Sequence, residues 1–224
     1  REGALRETGG DKFHAVVADV STPEGREAIA DRIDGTTPTV VVHNAATTGP
    51  LGPLDALTLD GFRATMASNV EGPLFLTKAL MPKLARGSRV LHVSTGGAHQ
   101  GFDGMLSYCA SKAALRSVYE SLRDEHAGRV CFGSAQPGVV ETEMMRGLVE
   151  DTDDSFAIRS YFTGLADATP AGAIAGGPPP VDGLNSPENV ARFFAFLLTE
   201  TSDDEFGEKD WDIRDEAHHG RWAL

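Results

Sequence analysis

Short apolar runs alternate with longer segments of mixed polarity along most of the chain. Runs of four to eight residues rich in valine and aromatic side chains are typical of strands buried in a parallel sheet. Four such runs occur, and a fifth, more polar run predicts a final strand. They are FHAVVADV from Phe13, TVVVHNAA from Thr39, SRVLHVST from Ser88, GRVCFGSAQPG from Gly128 and EKDWDI from Glu208.

The segments between these runs carry helical signals. Ser21 or Thr22 can serve as the N-cap of a helix with Pro23 in its first turn, and Ser186 can cap the segment PENVARFFAFLLTE. A long central helical region is expected to kink at its prolines, because proline cannot donate the helical hydrogen bond. The helices are predicted at 21–33, about 59–85 (with kinks at Pro73 and Pro82), 106–122, about 144–165 and 186–200.

Strands that alternate with helices predict a parallel sheet covered on both faces. The expected fold class is therefore α/β, a Rossmann-like doubly wound parallel sheet in three layers, α/β/α, forming one domain over residues 1–224. Ligands of such sheets bind at the carboxyl ends of the strands. The polar residues at these ends are Asp19, Asn44, Ser94, Thr95 and the turn from Gln136 to Gly138.

Composition argues against several classes of partner. The 224 residues include 20 lysines and arginines against 33 aspartates and glutamates, a net charge of −13, with no basic run. Nucleic acid and anionic membranes are therefore not expected as partners. The chain has no run of about 18 apolar residues and no signal peptide, which favours a cytoplasmic protein. Cys109 and Cys131 fit no metal-binding pattern, so no metal site is expected.

One predicted helix carries a tyrosine and a lysine one turn apart on its apolar stripe. Tyr108, Lys112, Leu115, Tyr119 and Leu122 follow one another at spacings of four, three, four and three residues. An ammonium beside a phenol stabilises the phenolate, so the lysine is predicted to lower the pKa of the tyrosine for acid–base catalysis. An amphipathic helix with a snorkelling lysine is the alternative if the pair is taken alone.

Five motifs in order, ADV, HNAA, SNVEG, YCASK and PGVVET, resemble those of the short-chain dehydrogenase/reductase family, over about Leu5 to Asp215. Members of that family are NAD(P)-dependent oxidoreductases with a Rossmann fold. The resemblance implies acid–base catalysis by Tyr108 and Lys112, with Asn69 holding a helix open around a proton-relay water. It also implies cofactor contacts from Asp19 and Val20 on the adenine side, from Asn44, Ala45 and Ala46, from Tyr108 and Lys112, and from Pro137, Gly138, Val139 and Thr142 around the nicotinamide.

Two residues depart from the family's motifs. The family places a catalytic serine thirteen residues before the tyrosine, where this chain has Thr95. Ser94 cannot simply replace it, because consecutive strand residues point to opposite faces. A threonine hydroxyl has the same donor and acceptor capacity, so Thr95 is expected to polarise the substrate carbonyl, with Ser94 as the alternative. Ala46 stands where the family has glycine.

The family's first strand and glycine-rich phosphate loop have no counterpart in the chain. The segment ETGGDK, from Glu7, is a turn with no apolar strand before it and no helix directly after it. In the doubly wound order the first strand lies between the strands expected at Phe13 and Thr39, whose backbone groups would otherwise stay unpaired. We expect these elements upstream of Arg1 in the natural protein. A truncated relic of the fold is the alternative.

The resemblance predicts hydride transfer between a nicotinamide and a carbonyl carbon. It is strongest to the sepiapterin reductase and benzil reductase branch, which acts on dicarbonyl or α-hydroxycarbonyl groups. NADP is the expected cofactor, with NAD as the alternative, and a homodimer or homotetramer is the expected assembly. A substrate lid is predicted at about 143–185, and it includes a Gly/Pro/Ala-rich stretch expected to be mobile. Its apolar residues indicate an apolar substrate or plain packing: Met144, Met145, Phe156, Tyr161 and Phe162, with Phe102 and Met105 nearby.

Two other classes of function fit parts of the pattern. A non-catalytic dinucleotide-binding or regulatory protein could keep the fold, although the unaltered Tyr108, Lys112 and Asn69 argue against it. A sugar-nucleotide epimerase shares the YxxxK motif. Such enzymes need a larger C-terminal substrate domain than the residues after Lys112 provide.

Overall fold

A computed structural model describes residues 14–150, 152, 156–168 and 183–223 of the chain. Its main sheet has four parallel strands in the order β1–β2–β3–β6, and two short parallel strands, β4 and β5, form a second sheet. The strands are β1 Val40–His43, β2 Ser88–Val93, β3 Val130–Gln136, β4 Val139–Val140, β5 Leu184–Asn185 and β6 Asp210–Asp212.

Helices follow the strands as the alternating pattern predicts. Thr22 caps the first helix by accepting a hydrogen bond from the Gly25 amide, and Ser186 caps a later one through the Asn189 amide. Within the described ranges, no helix is both long enough and apolar enough to cross a membrane. The helices are α1 Pro23–Ala30, α2 Leu59–Met66, α3 Gly72–Leu80, α4 Leu106–Glu125, α5 Glu143–Glu150, α6 Ala157–Ala168, α7 Pro187–Thr199, α8 Asp203–Glu208 and α9 His219–Trp222.

The two faces of the sheet bury separate cores, because successive residues of a strand point to opposite sides. On β2, Val90 belongs to a cluster with Tyr119 of α4 and with residues of α1 and α3. Its neighbour Leu91 belongs to a second cluster with Phe193 and Phe196 of α7. Helices therefore cover both faces, and the predicted Rossmann-like α/β fold is confirmed.

Four of the five predicted strands are present, at the runs from Thr39, Ser88, Gly128 and Glu208. The strand predicted from Phe13 to Val20 is wrong over residues 14–20, which are irregular and end in a turn. A strand needs a partner for its backbone hydrogen bonds, and no described strand lies beside this segment. The side chain of Val17 is 83% exposed, so the apolar pattern here does not correspond to burial in the described structure.

A cavity of about 310 Å³ lies along the free edge of β1, the edge opposite β2. Its lining is apolar and includes Val20, Ile29, Val42 and Leu76. Val42 and its neighbour Val40 remain 41% and 50% exposed, which is unusual for strand residues of a doubly wound sheet. The cavity and this edge of β1, which has no described partner strand, lie where the sequence predicts another strand.

The long central helical region is divided into three segments rather than kinked at its prolines. Helix α2 passes into a π-helical segment, Ala67–Glu71, where the Gly72 amide donates to the Ala67 carbonyl. Pro73 then lies in the first turn of α3, where its missing N–H costs nothing, and Pro82 lies in a 3₁₀ turn. The kink predicted at Pro73 is therefore wrong, since the π segment supplies the irregularity.

The C-terminal part of the chain is more ordered than its sequence indicates. The region predicted as one helix from Met144 to Leu165 forms two, α5 and α6, and most of the Gly/Pro-rich stretch that follows lies outside the described residues. Trp222 of α9 packs against Phe193 with ring centroids 5.2 Å apart, and its indole donates to His218. The last helix thus completes the core on the α7 face.

Two histidines lie buried side by side in the core beneath the carboxyl end of the sheet. The rings of His43 on β1 and His92 on β2 have centroids 4.9 Å apart, and His43 Nε2 lies 2.8 Å from Thr77 Oγ1. Neither ring nitrogen of His92 has a hydrogen-bond partner among the described residues. Burial lowers the pKa of His43 to about 4, and burial followed by the charges of His43 and Lys112 lowers the pKa of His92 well below its usual range.

We expect this pair to destabilise the protein in acid. The folded pKa of His43 is depressed from 6.5 to about 4, so the unfolded chain binds the proton first as pH falls. The contribution to stability is complete above pH 6.5 and is lost toward pH 4, by about 2 kcal/mol between pH 7 and pH 5 for this one group.

Urea unfolding at pH 7 and at pH 5 tests this expectation. His43→Gln should lose less free energy of unfolding between the two pH values than the wild type, because glutamine cannot titrate but can still reach Thr77. His14→Gln is the control, because it removes an exposed imidazole. The assignment would be contradicted if His14→Gln changed the pH dependence of the free energy of unfolding as much as His43→Gln does.

Candidate active site

The tyrosine and lysine singled out in the sequence lie on the face of α4 that packs against the sheet. Lys112 is 5% exposed, and its Nζ donates a hydrogen bond of 2.9 Å to the Val93 carbonyl at the end of β2. The same Nζ lies 5.8 Å from the centroid of the Tyr108 ring. The two side chains therefore share one face of the helix at the carboxyl end of the strands, as the motif predicts.

Burial shifts the pKa of each group in the direction that favours its neutral form. Burial raises the pKa of Tyr108, and a hydrogen bond with the Thr95 side chain opposes that rise. Burial also lowers the pKa of Lys112 to about 8. The predicted net lowering of the Tyr108 pKa is wrong in this structure, because the net shift is upward. The ammonium is directed at the Val93 carbonyl, and desolvation of the phenol outweighs the opposing hydrogen bond.

The two adjacent hydroxyl residues after β2 point in different directions. Thr95 caps a 3₁₀ turn, Gly96–Ala98, by accepting from the Gly97 amide, and its side chain is close enough to Tyr108 to lower the pKa of the phenol. Ser94 donates instead to Asp210 Oδ2 at 2.8 Å. The geometry thus brings Thr95, and not Ser94, to the tyrosine. The role of Thr95 toward a carbonyl substrate stays a prediction.

Asn69 connects three segments around the π-helical segment. Its Oδ1 accepts from the Thr47 amide at 2.9 Å, and its Nδ2 donates to the Thr47 carbonyl and to Ser111 Oγ. Ser111 in turn donates to the Tyr108 carbonyl at 2.7 Å. Both amide protons of Asn69 are therefore used within the protein. Its place inside the π-helical segment agrees with the expected widening of the helix, while the proton-relay role stays a prediction.

The residues expected around the nicotinamide form a tight turn after β3. Gly138 has φ +68°, and a Cβ there would lie 2.6 Å from Asn185 Nδ2, which donates to the Pro137 carbonyl. Val139 then pairs with Leu184 in the two-stranded sheet. Thr142, the last residue of this set, accepts a weak hydrogen bond of 3.3 Å from the Met145 amide in the first turn of α5.

The residues expected on the adenine side make local contacts. Asp19 Oδ1 accepts from the Ser21 amide at 2.8 Å, and hydrogen bonding from Ser21 holds the pKa of this exposed carboxyl below its usual range. The Val20 carbonyl accepts from Arg26. Asn44 and Ala45 are exposed after β1 and Ala46 is half-buried. Among the described residues, the Asn44 side chain makes no hydrogen bond, and its contact with the cofactor stays a prediction.

The residues present fit a ribose better than a pyrophosphate. The ammonium of Lys112 has three donors, and the described residues give it one acceptor, the Val93 carbonyl. A buried cation with unused donors suits the hydroxyls of a nicotinamide ribose. Of the two residues expected on the adenine side, Val20 lines the cavity beside β1.

An apolar cluster lies against the tyrosine. Met145 of α5 and Phe162 of α6 are buried with Met105 and Cys109, and Tyr108, Phe102 and Phe156 pack on this group. Of the proposed lid residues, Met144 and Tyr161 are instead 39% and 51% exposed. Helices α5 and α6 therefore form an apolar wall beside Tyr108, and two of the predicted lining residues do not contribute to it. Their role as a lid stays a prediction.

The sequence patterns did not predict several residues that contribute to the site. Ser111 and Asn185 are ordinary polar residues whose partners are remote in sequence, at Asn69 and Pro137. Asp210 was visible only as a charged residue in a short predicted strand. It turns out to accept hydrogen bonds from several segments at the carboxyl end of the sheet.

A parallel α/β sheet with a Tyr–Lys pair, a hydroxyl and an asparagine at its carboxyl end defines a Rossmann-like dinucleotide-binding fold. Residues 2–153 match the family model described as short chain dehydrogenase. The chain therefore belongs to the short-chain dehydrogenase family. Its relatives include 1-deoxy-11-β-hydroxypentalenate dehydrogenase of Streptomyces avermitilis, 34% identical over 156 residues that cover 66% of this chain and 58% of the relative.

The names of other relatives denote different activities. The 2,3-dihydro-2,3-dihydroxybenzoate dehydrogenase of Escherichia coli is 32% identical over 161 residues, which cover 70% of this chain and 61% of the relative. Diacetyl reductase [(S)-acetoin forming] of Staphylococcus aureus is 26% identical over 168 residues, which cover 73% and 62%. The chain thus spans roughly 60% of the length of these relatives, and they single out no branch of the family.

Solved structures agree with the fold. A short-chain dehydrogenase/reductase from Saccharomyces cerevisiae gives a TM-score of 0.82 at 21% identity, covering 98% of this chain and 84% of that one. The KRED1-Pglu enzyme gives a TM-score of 0.76 at 23% identity, covering 94% and 83%. At these identities the likeness bears on the fold alone.

Substitution of Gly138 tests the tight turn. Gly138→Ala should cost more free energy of unfolding than Gly87→Ala, because both have positive φ but only Gly138 has a neighbour in the path of a new Cβ. The excess is expected at about 1 kcal/mol or more, the usual cost of overpacking. Urea denaturation of the two variants measures it. If both variants lose the same free energy of unfolding, the Asn185 side chain can move aside at no cost, and the turn does not need glycine at 138 for space.

Proposed function

We propose that the protein is an NADPH-dependent carbonyl reductase that converts a ketone, a diketone or a pterin side-chain carbonyl to an alcohol, with NADH as the alternative reductant. The observation that carries the proposal is the buried Lys112 ammonium 5.8 Å from the centroid of the Tyr108 ring, with the Thr95 side chain close enough to the phenol to oppose the rise of its pKa. The family of the chain and its dehydrogenase and reductase relatives support the same class of reaction.

Burial of Tyr108 favours reduction. Because its pKa is raised, the phenol is protonated at neutral pH and is in the form that can give a proton to a developing alkoxide. Thr95 would hydrogen-bond the carbonyl oxygen and orient it toward the phenol. Lys112, whose pKa of about 8 leaves it mostly charged at neutral pH, would stabilise the phenolate left behind. Asn69 would keep the π-helical segment open for the water that returns the proton.

The nicotinamide cofactor, when bound, supplies the hydride. Of this chain's residues, Lys112 and Tyr108 would hold the ribose. Pro137, Gly138, Val139 and Thr142 would border the nicotinamide, with the tight turn at Gly138 allowing a close approach of the backbone. Asp19, Val20, Asn44, Ala45 and Ala46 are proposed for the remaining contacts, by resemblance to the family.

The substrate class is proposed from three observations. The blocks LHVSTGGAH…YCASKAAL and SPENVARFFAFLLTE…DWDIRDE resemble the sepiapterin and benzil reductase branch. One relative is named diacetyl reductase, an enzyme whose name denotes a small dicarbonyl substrate. The apolar wall formed by Met105, Met145 and Phe162 beside Tyr108 suits a dicarbonyl flanked by apolar groups. By the same resemblance we propose a cytoplasmic homodimer or homotetramer.

Replacement of the tyrosine is the main test. Tyr108→Phe should lower kcat for NADPH-dependent reduction of a simple diketone by at least about 10²-fold, because the proton donor is lost. Its Kd for NADPH should stay measurable by fluorescence. Tyr119→Phe, on the same helix, removes a hydroxyl that donates to the Gly207 carbonyl and should keep kcat close to that of the wild type. Retained activity in Tyr108→Phe would refute the assignment, and NADPH binding without turnover in the wild type would favour a non-catalytic binding protein.

The hydroxyl beside the tyrosine can be tested separately. Thr95→Val keeps the shape of the side chain but removes its donor and should reduce kcat by about 10²-fold, as loss of one polarising hydrogen bond does. Thr95→Ser retains the hydroxyl and should recover most of the rate. If Thr95→Val and Thr95→Ser are equally active on the diketone, the threonine does not polarise the carbonyl.

A further inference from the structure

A nearly buried carboxylate connects the strands that carry the candidate site. Asp210 begins β6, pairs in register with Ser134 of β3, and its side chain is 9% exposed. Oδ1 accepts from Ser134 Oγ at 2.8 Å. Oδ2 lies 2.8 Å from Ser94 Oγ, 3.1 Å from Gln136 Nε2 and 2.6 Å from His99 Nε2.

The other ring nitrogen of His99 faces α4. Its Nδ1 lies 3.0 Å from Arg116 Nη1, and Arg116 also pairs with Glu120 at 3.0 Å. An arginine can only donate, so Nδ1 accepts and Nε2 carries the proton that is donated to Asp210. Gln136 Nε2, also a donor, lies 3.3 Å from the ring and is directed at the carboxylate instead. These contacts define one neutral tautomer for His99, in an Asp210–His99–Arg116 chain.

This chain spans the two elements that must be held together for Tyr108 to meet Thr95. His99 directly follows the 3₁₀ turn that Thr95 caps, and its amide donates to Gly96 within that turn. Arg116 lies one helical turn beyond Lys112 on α4. The turn itself contains two adjacent glycines, which impose little conformational preference of their own. The turn also packs directly on α4, where a Cβ at Gly97 would lie 3.3 Å from Cys109 Sγ, and an anchor outside the turn adds to this packing.

Serine, histidine and aspartate in one cluster also raise the question of a hydrolytic triad. In such a triad the histidine lies between the serine and the carboxylate. Here Ser94 and His99 both contact the same oxygen, Asp210 Oδ2, and the second nitrogen of His99 accepts from Arg116. Ser94 has no base to activate it, so the geometry favours an anchor over a nucleophile.

We propose that His99 is a positioning residue that anchors the Thr95 turn between Asp210 and Arg116 and so sets the contact between Thr95 and Tyr108. This inference rests on the proposed function, and it deepens it, because His99 acts on turnover through Thr95 without touching the substrate. Both ring nitrogens are needed, because Nε2 makes the contact with Asp210 and Nδ1 makes the contact with Arg116.

Variants that preserve one nitrogen each give the kinetic test. The Gln side chain reaches the position of Nε2 and can still donate to Asp210, but it places no acceptor at the position of Nδ1 for Arg116. The shorter Asn side chain reaches only the position of Nδ1, so it can accept from Arg116 but cannot reach Asp210. We expect His99→Ala to lower kcat about tenfold, as a small misplacement of a catalytic group does. Its KM for NADPH should change less than twofold, because His99 lies outside the residues proposed for the cofactor. The Gln and Asn variants should each recover part of the loss.

Arg116 provides the double-variant cycle. Arg116→Gln should lower kcat in the wild type and in His99→Asn, but should add nothing in His99→Gln or His99→Ala, where its partner nitrogen is already gone. Glu120→Gln is the matched control, because it removes the other contact of the same arginine and should leave kcat unchanged. A wild-type kcat in His99→Ala, or an equal cost of Arg116→Gln in all four backgrounds, would overturn the inference.

A readout without turnover separates failure of the anchor from failure of the proposed function. Nitrogen-15 NMR of the histidines should show His99 as the Nε2–H tautomer, and Asp210→Asn should change that signal. An Nδ1–H tautomer would overturn the inference whatever the activity. A wild-type protein that shows the Nε2–H tautomer but reduces no carbonyl would overturn the proposed function, and with it the catalytic consequence of the anchor.

Discussion

The candidate site depends on one buried hydrogen bond, from the Lys112 ammonium to the Val93 carbonyl. A charged amine is costly to bury, and the bond offsets part of that cost by giving the ammonium an acceptor at the end of β2. Because β2 ends there and Thr95 follows two residues later, the same contact fixes the start of α4 against the segment that carries the hydroxyl. The lysine thus first determines where Tyr108 lies, and its electrostatic effect on the phenol is secondary in this structure.

Successive residues of a β-strand point to opposite faces, so neighbouring residues of the site have different contacts. Ser94 and Thr95 have similar hydroxyls, yet Ser94 points to Asp210 and the sheet interior while Thr95 meets Tyr108. At the end of β3, Ser134 and Gln136 face the same carboxylate, and the chain then turns at Gly138 into the segment proposed for the nicotinamide. Residues of one face hold the strands together so that residues just beyond the strands can face a ligand.

Local patterns predicted what depends on local chemistry. Apolar runs located three strands and a more polar run located β6, N-cap residues located α1 and α7, and the spacing of Tyr108 and Lys112 placed both on one helix face. Contacts between remote segments were not accessible in this way. Asp210 receives donors from residues 74 to 116 positions away, and the direction of the pKa shift of Tyr108 depends on how deeply α4 is buried. A spacing rule specifies neighbours on a helix but not the desolvation that competes with them.

The edge of β1 that no described strand covers accounts for several features at once. The segment at 14–20 has the composition of a strand but no described strand to pair with, so it stays irregular. Val40 and Val42 of β1 remain exposed, Asn44 stands at the strand end without a side-chain partner among the described residues, and an apolar cavity of about 310 Å³ runs between β1 and the helices α1 and α3. Unpaired backbone and uncovered apolar side chains are the two costs that an inserted parallel strand removes together. The cavity lies where a doubly wound sheet has such a strand, and Val20, from the segment proposed for the adenine side, forms part of its lining.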